Sequence, residues 1–484
     1  MSLTKPNIQW KDIVPLFLLV VLTFLALLLP SKIAMIVTAI IFVIYAFIKP
    51  FESLLYLIIY VAIRPFLTEI NPGLKYIGDL ITIALLLKLL ISSKFDLRNL
   101  LKFKLFEYAF FAFLLFGAVI GYINGVSLGA VIFQVRTFII MYLIYYFLSR
   151  SQLPSNWMKK LAWTGVGLGW LLSLHGIVEK VSMRQLLLPY YWKHTVLSEE
   201  NMSRIYGLLG NPNSLALVLM FTIVGIFYLK HLYSNGEYKV FLNISLVLFT
   251  GIFILTFSRG TIISAVVLAA IYIVLAKKYK LIKQIVLAVV ASIIFVYFPV
   301  IGGVYLSQSI GVEAPDGIVG GFGDRLGQTI DKENIDRMVS NGRIFYLKKG
   351  FEILKDYPIT GAGFGTFGGA ATLSYGSPIY EDYGIDLSIY FENKIYSDNQ
   401  YIQIIAETGA VGVILFGLFL ISMLLLFTKQ RNDVFSKFMI GLWFSTGFSG
   451  LYYNIWELKI YTLIFFTILG LYAIHQKYYK QYKI

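Results

Sequence analysis

The chain has 484 residues, of which 58% are hydrophobic, 17% aromatic and only 14% charged. About a quarter of the residues of a soluble domain are charged, so this composition excludes an ordinary soluble protein and indicates a membrane protein. The net charge of +15 lies mostly in short loops between apolar runs, which indicates membrane topology rather than a nucleic-acid partner. Cysteine is absent, which excludes disulfides and thiol nucleophiles. The four histidines are scattered without metal-ligand spacing, and we predict neither a metal nor a cofactor.

Fourteen apolar runs approach the length of about 20 residues that crosses a hydrocarbon core about 30 Å thick. They lie near residues 13–30, 33–48, 53–67, 78–92, 106–123, 129–149, 160–178, 213–229, 239–257, 260–276, 283–306, 402–427, 434–453 and 458–475. The third and fourth are the least certain, because they are short and contain Arg64 and Lys88. Unpaired backbone is very costly in lipid, so all the runs should be helices. We predict an all-α polytopic membrane protein with about 12–14 transmembrane helices, the first of them retained rather than cleaved as a signal peptide.

Loop charge predicts how these helices are oriented. With the N-terminus in the cytoplasm, the inside segments contain 22 lysines and arginines and the short outside loops contain 5. This bias predicts that both termini are cytoplasmic. The chain then forms a single membrane domain, 1–484. Helices 1–11 occupy 13–306 with a short outer loop at 179–212, the long loop 307–398 is extracytoplasmic, and helices 12–14 with the cytoplasmic C-terminus occupy 399–484.

The long outer loop contains one recognisable helix, at 343–356. Its apolar residues recur at helical spacing and predict an amphipathic helix that lies on the outer membrane surface or on the bundle. The apolar stripe consists of Ile344, Leu347, Phe351 and Leu354. We expect this helix and the glycine run 361–365 to cover an outward-facing cavity and to bring Arg343 to it.

Two arginines lie at predicted helix starts on the outer side. Arg204 precedes the motif 210–214, in which Asn211 predicts a helix cap and the following proline predicts the first helical position. Capping does not explain Arg204, which lies beside a helix N-terminus that favours anions. Arg259 stands in a tight turn between two apolar runs, where it either extends to the lipid headgroups or binds a phosphate in bidentate fashion.

Arg136 lies inside the sixth predicted span. Charged residues are rare at such depth and mark functional sites by default. A buried ion pair is the alternative interpretation, although no acidic residue is visible within one helical turn of Arg136 in the sequence.

Two further motifs admit both structural and functional interpretations. The glycine run 361–365 follows a proline rather than a strand, which excludes a dinucleotide fold, but its backbone N–H groups could approach an anion closely. Residues 397–400 predict a capping box with Ser397 as the cap, so that Asp398 lies in the first helical turn, where the helix dipole makes it a weaker base. Glu407, two turns later, needs a partner, and an arginine of the site would serve.

The order of these motifs is more informative than any one of them. The ordered set is Arg204 with 210–214, Ser258-Arg259-Gly260, Gly342-Arg343, Pro358-x-x-Gly361-x-Gly363, Asp398-Asn399-Gln400-Tyr401 and Glu407-x-Gly409-x-x-Gly412. It resembles the O-antigen ligase and Wzy-type polysaccharide polymerase superfamily. The resemblance covers roughly residues 200–427, and the N-terminal half fits only in its number of spans.

The resemblance implies a metal-independent, inverting GT-C-type glycosyltransferase of the bacterial cytoplasmic membrane. Such an enzyme takes a sugar chain from undecaprenyl diphosphate at the outer face and passes it to an acceptor hydroxyl. It implies roles for Arg259 and Arg343 in catalysis, since cations must neutralise the leaving diphosphate. The residues implied in binding the substrate or its diphosphate are Arg204, Arg136, Asn213, Gly363, Gly365, Asn399, Tyr401 and Glu407.

One departure from the family pattern separates its branches. Ligases that move O-antigen onto lipid A-core have a histidine just before the Asn-x-Tyr stretch, whereas this chain has Asp398 there and no histidine in the long loop. This difference favours the polymerase branch. Asp398 is the first choice for the catalytic base by position, and Glu381, Asp382 and Asp386 are the alternatives.

The sequence therefore predicts an enzyme that polymerises lipid-linked oligosaccharide repeat units into a capsular, teichuronic-acid-like or other cell-surface polysaccharide. The alternative reaction is ligation of a finished glycan to a lipid, wall or protein acceptor. A transporter or flippase is the alternative of another class, which the absence of an internal repeat disfavours. The implied partners are lipid-linked donor and acceptor glycans, the bilayer, and a chain-length regulator and flippase of the same pathway.

Overall fold

The computed structural model of the protein describes residues 10–154, 156–195, 197, 199–233, 236–312, 339–340, 342–388 and 396–481. Within these ranges the secondary structure is helical and contains no strand, which confirms the predicted fold class. The longer helices are α1 (Trp10–Leu25), α2 (Ser31–Ile48), α3 (Pro50–Ile70), α4 (Ile77–Ser92), α5 (Leu105–Ile123), α6 (Leu128–Arg150), α7 (Trp157–Val181), α8 (Pro212–Leu232), α9 (Lys239–Leu255), α10 (Arg259–Ala276), α11 (Lys280–Ser309), α12 (Arg343–Asp356), α13 (Gln400–Thr428), α14 (Val434–Ser449) and α15 (Lys459–Gln481). Short helical turns lie at Ala26–Leu28, Pro72–Tyr76, Leu97–Leu100, Tyr190–His194, Glu199–Met202, Gly207–Leu209 and Ala370–Tyr375.

A helix forms at each of the fourteen predicted spans. In the described part of the chain, ten helices are long and apolar enough to cross a membrane by length and composition. Val14–Leu28 and α9 are apolar but shorter, and α4 and α14 have only 16 residues each. Of the two least certain runs, α3 meets the criteria with 21 residues and α4 does not. The orientation of the helices and of the two termini remains a prediction.

The bundle is built from closely packed helix pairs around a continuous apolar core. α10 packs against α14, α13 against α5, α15 against α6, and α8 against α7 and α9. Aromatic rings fill the contact between α5 and α13, where the centroids of Phe110 and Phe419 lie 4.9 Å apart and those of Phe113 and Phe416 lie 5.2 Å apart. Such offset and edge contacts add to the burial of apolar area.

Part of the predicted outer loop lies inside this core. Residues 361–372, called the wedge from here on, are all buried. Phe364 of the wedge packs its ring against Phe113 and Phe138, with centroid distances of 5.3 and 5.8 Å. Its backbone N–H donates to the Gly117 carbonyl of α5 at 3.0 Å. We expected the glycine run to cover a cavity, and this was wrong: the wedge is inserted between α5 and α13.

Two glycine motifs make this insertion possible. α13 is broken at Gly409, whose φ of 54° and ψ of −157° are not helical. The next residue, Ala410, donates its N–H to the Pro358 carbonyl at 3.0 Å, so the segment before the wedge satisfies a donor that the kink leaves without a helical acceptor. Gly363 has a φ of +96°, and a Cβ atom there would lie 2.2 Å from the Gly121 Cα atom. The motifs at 361–365 and 407–412 therefore pack directly against each other.

The amphipathic helix α12 forms where the sequence predicts it, but it uses another face. Tyr346 and Ile353 are buried, and Gly350 allows Ile402 of α13 to approach so closely that a Cβ atom would lie 2.3 Å from it. Leu347 and Phe351 of the predicted stripe remain 39% and 50% exposed. The helix therefore docks on the bundle through the face that contains Gly350, and the predicted apolar stripe lies largely outside that contact.

Candidate functional site

Four of the predicted site residues meet at one end of the bundle. Arg343, the first residue of α12, donates from Nη2 to Asp398 Oδ2 at 3.3 Å. Arg204 lies within electrostatic range of Arg343, Arg259 and Asp398. Two of the guanidinium groups thus lie near the Asp398 carboxylate and the third lies near Arg204, and we call these four residues the arginine cluster. With three positive charges against one negative charge, it is suited to bind a further anion.

Arg204 is the most firmly held of the three arginines. Its Nε donates to the Thr256 carbonyl at 2.9 Å, its Nη1 to Asn201 Oδ1 at 3.3 Å and its Nη2 to Asn213 Oδ1 at 2.6 Å. Burial lowers the pKa of Arg204, and the neighbouring charges of Arg343 and Arg259 act in the same direction. The local field is therefore strongly positive before any anion binds.

A polar hub fixes Asn213 and the start of α10. Ser258 Oγ donates to Asn213 Oδ1 at 2.9 Å, and it shares hydrogen bonds of 2.9 Å with Thr261 Oγ1 and with the Tyr453 hydroxyl. Asn211 caps α8 as predicted, accepting from two backbone N–H groups. Sequence reasoning missed Tyr453, which lies in the turn between α14 and α15 and becomes adjacent only through helix packing.

The loop that carries Arg204 is held by two charged residues of α7. Glu179 Oε2 accepts from the backbone N–H groups of Tyr206 at 3.1 Å and Gly207 at 2.6 Å, and Glu179 also pairs with Arg184. Lys180 Nζ donates to the Ser203 carbonyl at 2.6 Å. These buried contacts position the loop from both sides. Sequence reasoning missed them, because both residues lie at the end of an apolar run.

Arg259 and Arg343 are more open than Arg204. Arg259 is exposed at the N-terminus of α10, and Phe257 before it has a φ of 49°, which is rare for a bulky residue and sets the direction of the turn. The Arg343 side chain is 49% exposed. These two guanidinium groups can therefore reach an incoming ligand.

Asp398 is held in an unusual backbone conformation. Its φ is 49°, in the left-handed region that aspartate tolerates better than most residues. On one side, the Ser397 N–H donates to the Gly368 carbonyl at 3.1 Å, and on the other Asn399 caps α13. The surrounding protein raises the pKa of Asp398, while Arg343 and Arg204 oppose the rise. Because 48% of the side chain is open to water, the rise is smaller than full burial would give.

The predicted capping box is wrong by two residues. Asn399, rather than Ser397, caps α13 and accepts from the N–H groups of Tyr401 at 3.0 Å and Ile402 at 3.1 Å. Tyr401 donates its hydroxyl to the Gly447 carbonyl of α14 at 2.6 Å. Both residues therefore have structural roles, and their part in substrate binding remains a prediction.

Glu407 also has partners other than those expected. Instead of an arginine, its Oε1 accepts the backbone N–H groups of Gly365 at 2.8 Å, Thr366 at 3.1 Å and Phe367 at 3.2 Å. The glycine run does present N–H groups to an anion, as its composition suggested, but that anion is the Glu407 carboxylate. Gly363 donates its N–H to the Glu407 backbone carbonyl at 2.7 Å. A role of these residues in diphosphate binding is not supported by their contacts and stays a prediction.

Behind the arginine cluster lies a buried polar network that the sequence did not reveal. Glu457 Oε1 accepts from Gln134 Nε2 at 2.5 Å and from Gln403 Nε2, and its Oε2 accepts from the Ala370 N–H at 2.7 Å. Gln403 Oε1 in turn accepts from Asn454 at 2.8 Å. The network joins α6, α13, the wedge and the turn before α15. Burial raises the pKa of Glu457 to about 7, even though all three partners donate to it.

The remaining candidates lie outside the arginine cluster. Arg136 forms an ion pair with Asp79 of α4, which agrees with the alternative interpretation of a buried ion pair. The acidic partner comes from another helix, so it was not visible near Arg136 in the sequence. The alternative bases Glu381, Asp382 and Asp386 are exposed, and within the described segments no hydrogen bond or ion pair joins them to the arginine cluster. Hydrogen bonds from Ser388 lower the pKa of Asp386. The described ranges also contain no group of three or more side chains suited to hold a metal ion.

An apolar cavity of about 2020 Å³ extends along α10. At one end it is lined by Phe253 and Ile262, the latter one helical turn from Arg259, and at the other end by Lys277 and Lys280. Side chains of α8, α11, α14 and α15 complete its walls. The volume exceeds that of sites for drug-sized ligands, which is about 300–1,000 Å³. Its length and apolar lining suit a long hydrocarbon chain.

Comparison with known families agrees with this arrangement. A family model described as O-antigen ligase matches residues 244–417, roughly a third of the chain. The matched segment contains Arg259, Arg343, Asp398 and the wedge, but not Arg204. The match supports the predicted superfamily and indicates membrane glycan transfer of the ligase or polymerase kind. No curated protein matches the chain.

Proposed function

Starting from the match to the O-antigen ligase family, we propose that this protein is a polysaccharide polymerase of the bacterial cytoplasmic membrane. It joins undecaprenyl-diphosphate-linked repeat units into a cell-surface polysaccharide at the outer face. The observation that carries the proposal is the arginine cluster: Arg343 pairs with Asp398, and Arg204 lies within electrostatic range of Asp398, Arg343 and Arg259. Both donor and acceptor are lipid-linked glycans.

The arginines stabilise the leaving group. As the bond between the anomeric carbon and the diphosphate oxygen breaks, the electron pair and the developing negative charge pass to the diphosphate. Arg204 is already oriented by three hydrogen bonds, so little reorganisation is needed when the charge develops. Arg259 and Arg343, which are open to solvent, bind the phosphate oxygens from the other sides.

Asp398 acts as the base. It removes the proton of the acceptor hydroxyl as the hydroxyl oxygen bonds the anomeric carbon, with inversion at that carbon. The Arg343–Asp398 pair is long at 3.3 Å and about half exposed at both partners, so it contributes only about 0–1 kcal/mol. Arg343 can therefore exchange the carboxylate for a phosphate at little cost, which leaves Asp398 free to accept the proton.

The apolar cavity along α10 receives the polyprenyl tail of the donor. The end of the cavity that Phe253 and Ile262 line is within one helical turn of Arg259. A diphosphate bound by the arginine cluster therefore has its lipid chain directed into the cavity. The same geometry would serve a ligase. Asp398 in place of the histidine of ligases favours the polymerase.

The test uses purified full-length protein in detergent with a lipid-linked repeat unit, and separates the products on a gel. A ladder supports polymerisation, and one acceptor-shifted band supports ligation instead.

Arg259→Ala should reduce the product by at least about a hundredfold while the protein still purifies, because it removes a cation from the transition state. Lys355→Ala, an exposed cation at the far end of α12, is the control. Intact lipid with no new glycosidic bond in the unmodified protein would refute both reactions and leave a transporter.

A further inference from the structure

A second group of cations lies apart from the arginine cluster. Arg136 of α6 pairs with Asp79 in the first turn of α4. Arg64, near the end of α3, donates from Nε to the Lys75 carbonyl at 3.3 Å. Lys459 is the first residue of α15, which packs against both α3 and α6. We call Arg64, Lys75, Arg136 and Lys459 the second cationic cluster.

The charges of this cluster are not balanced within the described part of the chain. Arg64, Lys75, Arg136 and Asp79 all lie within electrostatic range of the Lys459 ammonium. The ammonium is partly buried and, among the described residues, has no hydrogen-bond or ion-pair partner. Four cations therefore share one carboxylate. Repulsion among these four cations is unfavourable, and an anion bound between their side chains would reduce it.

The second cationic cluster is connected to the arginine cluster without being part of it. Gln134 lies two residues before Arg136 and Glu457 lies two residues before Lys459, and the two are hydrogen-bonded at 2.5 Å. From Glu457 the bonds continue through Gln403 to Asn454, and from Asn454 to Ser397 beside Asp398. The network thus joins the segments that contain Arg136 and Lys459 to Ser397, which is next to Asp398.

The proposed transfer reaction uses none of these four cations. The hydrogen-bonded Arg64 and the ion-paired Arg136 are half-buried, and Lys75 is exposed, so water and a ligand can reach the group. Lys75 lies just before the start of α4 and Lys459 at the start of α15, where lipid phosphates lie at a membrane surface, and Arg136 lies about two helical turns along its span. Arginine and lysine together supply both bidentate and point-charge contacts to phosphate oxygens.

We propose that the second cationic cluster binds the phosphate of a second lipid molecule while the arginine cluster holds the first. The phosphate belongs either to a polyprenyl diphosphate or to an anionic phospholipid. The proposal concerns binding alone, so it stands or falls independently of glycosyl transfer.

The test measures binding to purified full-length protein in detergent by calorimetry. Farnesyl diphosphate and dioctanoyl phosphatidylglycerol are the two probes, and Arg259→Ala serves as the background that weakens the arginine cluster. In that background, Lys459→Gln should weaken binding of at least one probe by about tenfold, because one charge in contact with the phosphate is lost. The probe that responds identifies the source of the phosphate. Lys355→Gln, which is outside both groups, should leave binding unchanged.

Asp79→Asn provides the opposite test and does not depend on the Lys459 variant being stable. Removing the one carboxylate should tighten binding of the same probe by at least about threefold, because repulsion of the phosphate is lost. An ion pair with a structural role alone predicts a lower melting temperature and no gain in affinity. Unchanged affinity for both probes in Lys459→Gln and in Asp79→Asn would overturn the proposal.

Discussion

The three arginines of the arginine cluster differ in how far they are fixed. Arg204 is held by three acceptors and by a loop that Glu179 and Lys180 anchor. Arg259 and Arg343 are exposed enough to move. In the proposed reaction, the fixed cation would lower the reorganisation energy, and the two exposed cations would contact the lipid as it enters and leaves. All three residues are arginines, so this difference between them comes from their burial and not from their residue type.

Asp398→Asn should abolish activity while leaving the fold intact. Asparagine tolerates the φ of 49° at this position, so the substitution removes the carboxylate, with its weak pair to Arg343, at little backbone strain. Loss of a general base reduces the rate by about 10²–10⁴-fold. The product ladder measured over time gives the rate, and the melting temperature in detergent reports the fold.

Asp356→Asn is the matched control, since Asp356 is an exposed carboxylate of α12. Activity of Asp398→Asn within twofold of the unmodified protein would exclude Asp398 as the base. Loss of product in Asp382→Asn or Asp386→Asn would instead indicate that the base lies in the exposed segment 381–386.

At the scale of elements, the wedge connects the site to the bundle. Its backbone N–H groups donate to backbone carbonyls of α5 and α13 and to the side-chain carboxylates of Glu407 and Glu457. The Gly368 carbonyl of the wedge accepts from Ser397, which precedes Asp398. A displacement of the wedge would therefore move Asp398.

Gly363→Ala should strongly destabilise the protein. The added Cβ would lie 2.2 Å from the Gly121 Cα atom, and backbone on both sides cannot yield easily. Gly376→Ala is the matched control, because Gly376 also has a positive φ of 75° but no atom within 4 Å of the added Cβ. The control should lose only about 1–3 kcal/mol for backbone strain.

Thermal unfolding in detergent measures the difference between the two variants. We expect Gly363→Ala to melt well below Gly376→Ala and to lose activity in proportion. Equal melting temperatures would mean that the wedge is not packed between α5 and α13 as described.

At the scale of the whole molecule, the polar network around Glu457 joins helices distant in sequence. Gln134 and Glu457 are 323 positions apart, yet their side chains are in contact. The network also separates the arginine cluster from the second cationic cluster. Buried networks of this kind fix a unique arrangement when every member is hydrogen-bonded.

The raised pKa of Glu457 predicts how stability depends on pH. Burial places this pKa at about 7, above the value near 4.3 of an unfolded chain. Between these values the folded protein holds a proton that the unfolded chain releases, so stability falls as pH rises and the loss ends above about pH 7. The melting temperature should therefore fall more between pH 5 and pH 8 in the unmodified protein than in Glu457→Gln. Equal pH dependence in the two proteins would contradict this assignment.

The local chemistry of the sequence was sufficient for much of the architecture. Apolar runs predicted all fourteen helices, and Asn211 and α12 were found where expected. The motif order also selected Arg204, Arg259, Arg343 and Asp398, which the structure brings together. These features depend on hydropathy, on capping and on helix ends, all of which act within a few residues.

Only the tertiary structure decided which polar groups are partners. Glu407 binds the backbone of the wedge rather than an arginine, and Arg136 pairs with Asp79 across two helices. Glu457 was invisible in the sequence because its partners come from three distant segments. Helix packing selects such pairs, since a buried polar group must find whichever donor or acceptor the neighbouring helix presents. The sequence by itself determined the helices and which cations lie near their ends, and packing decided which of those cations lie together.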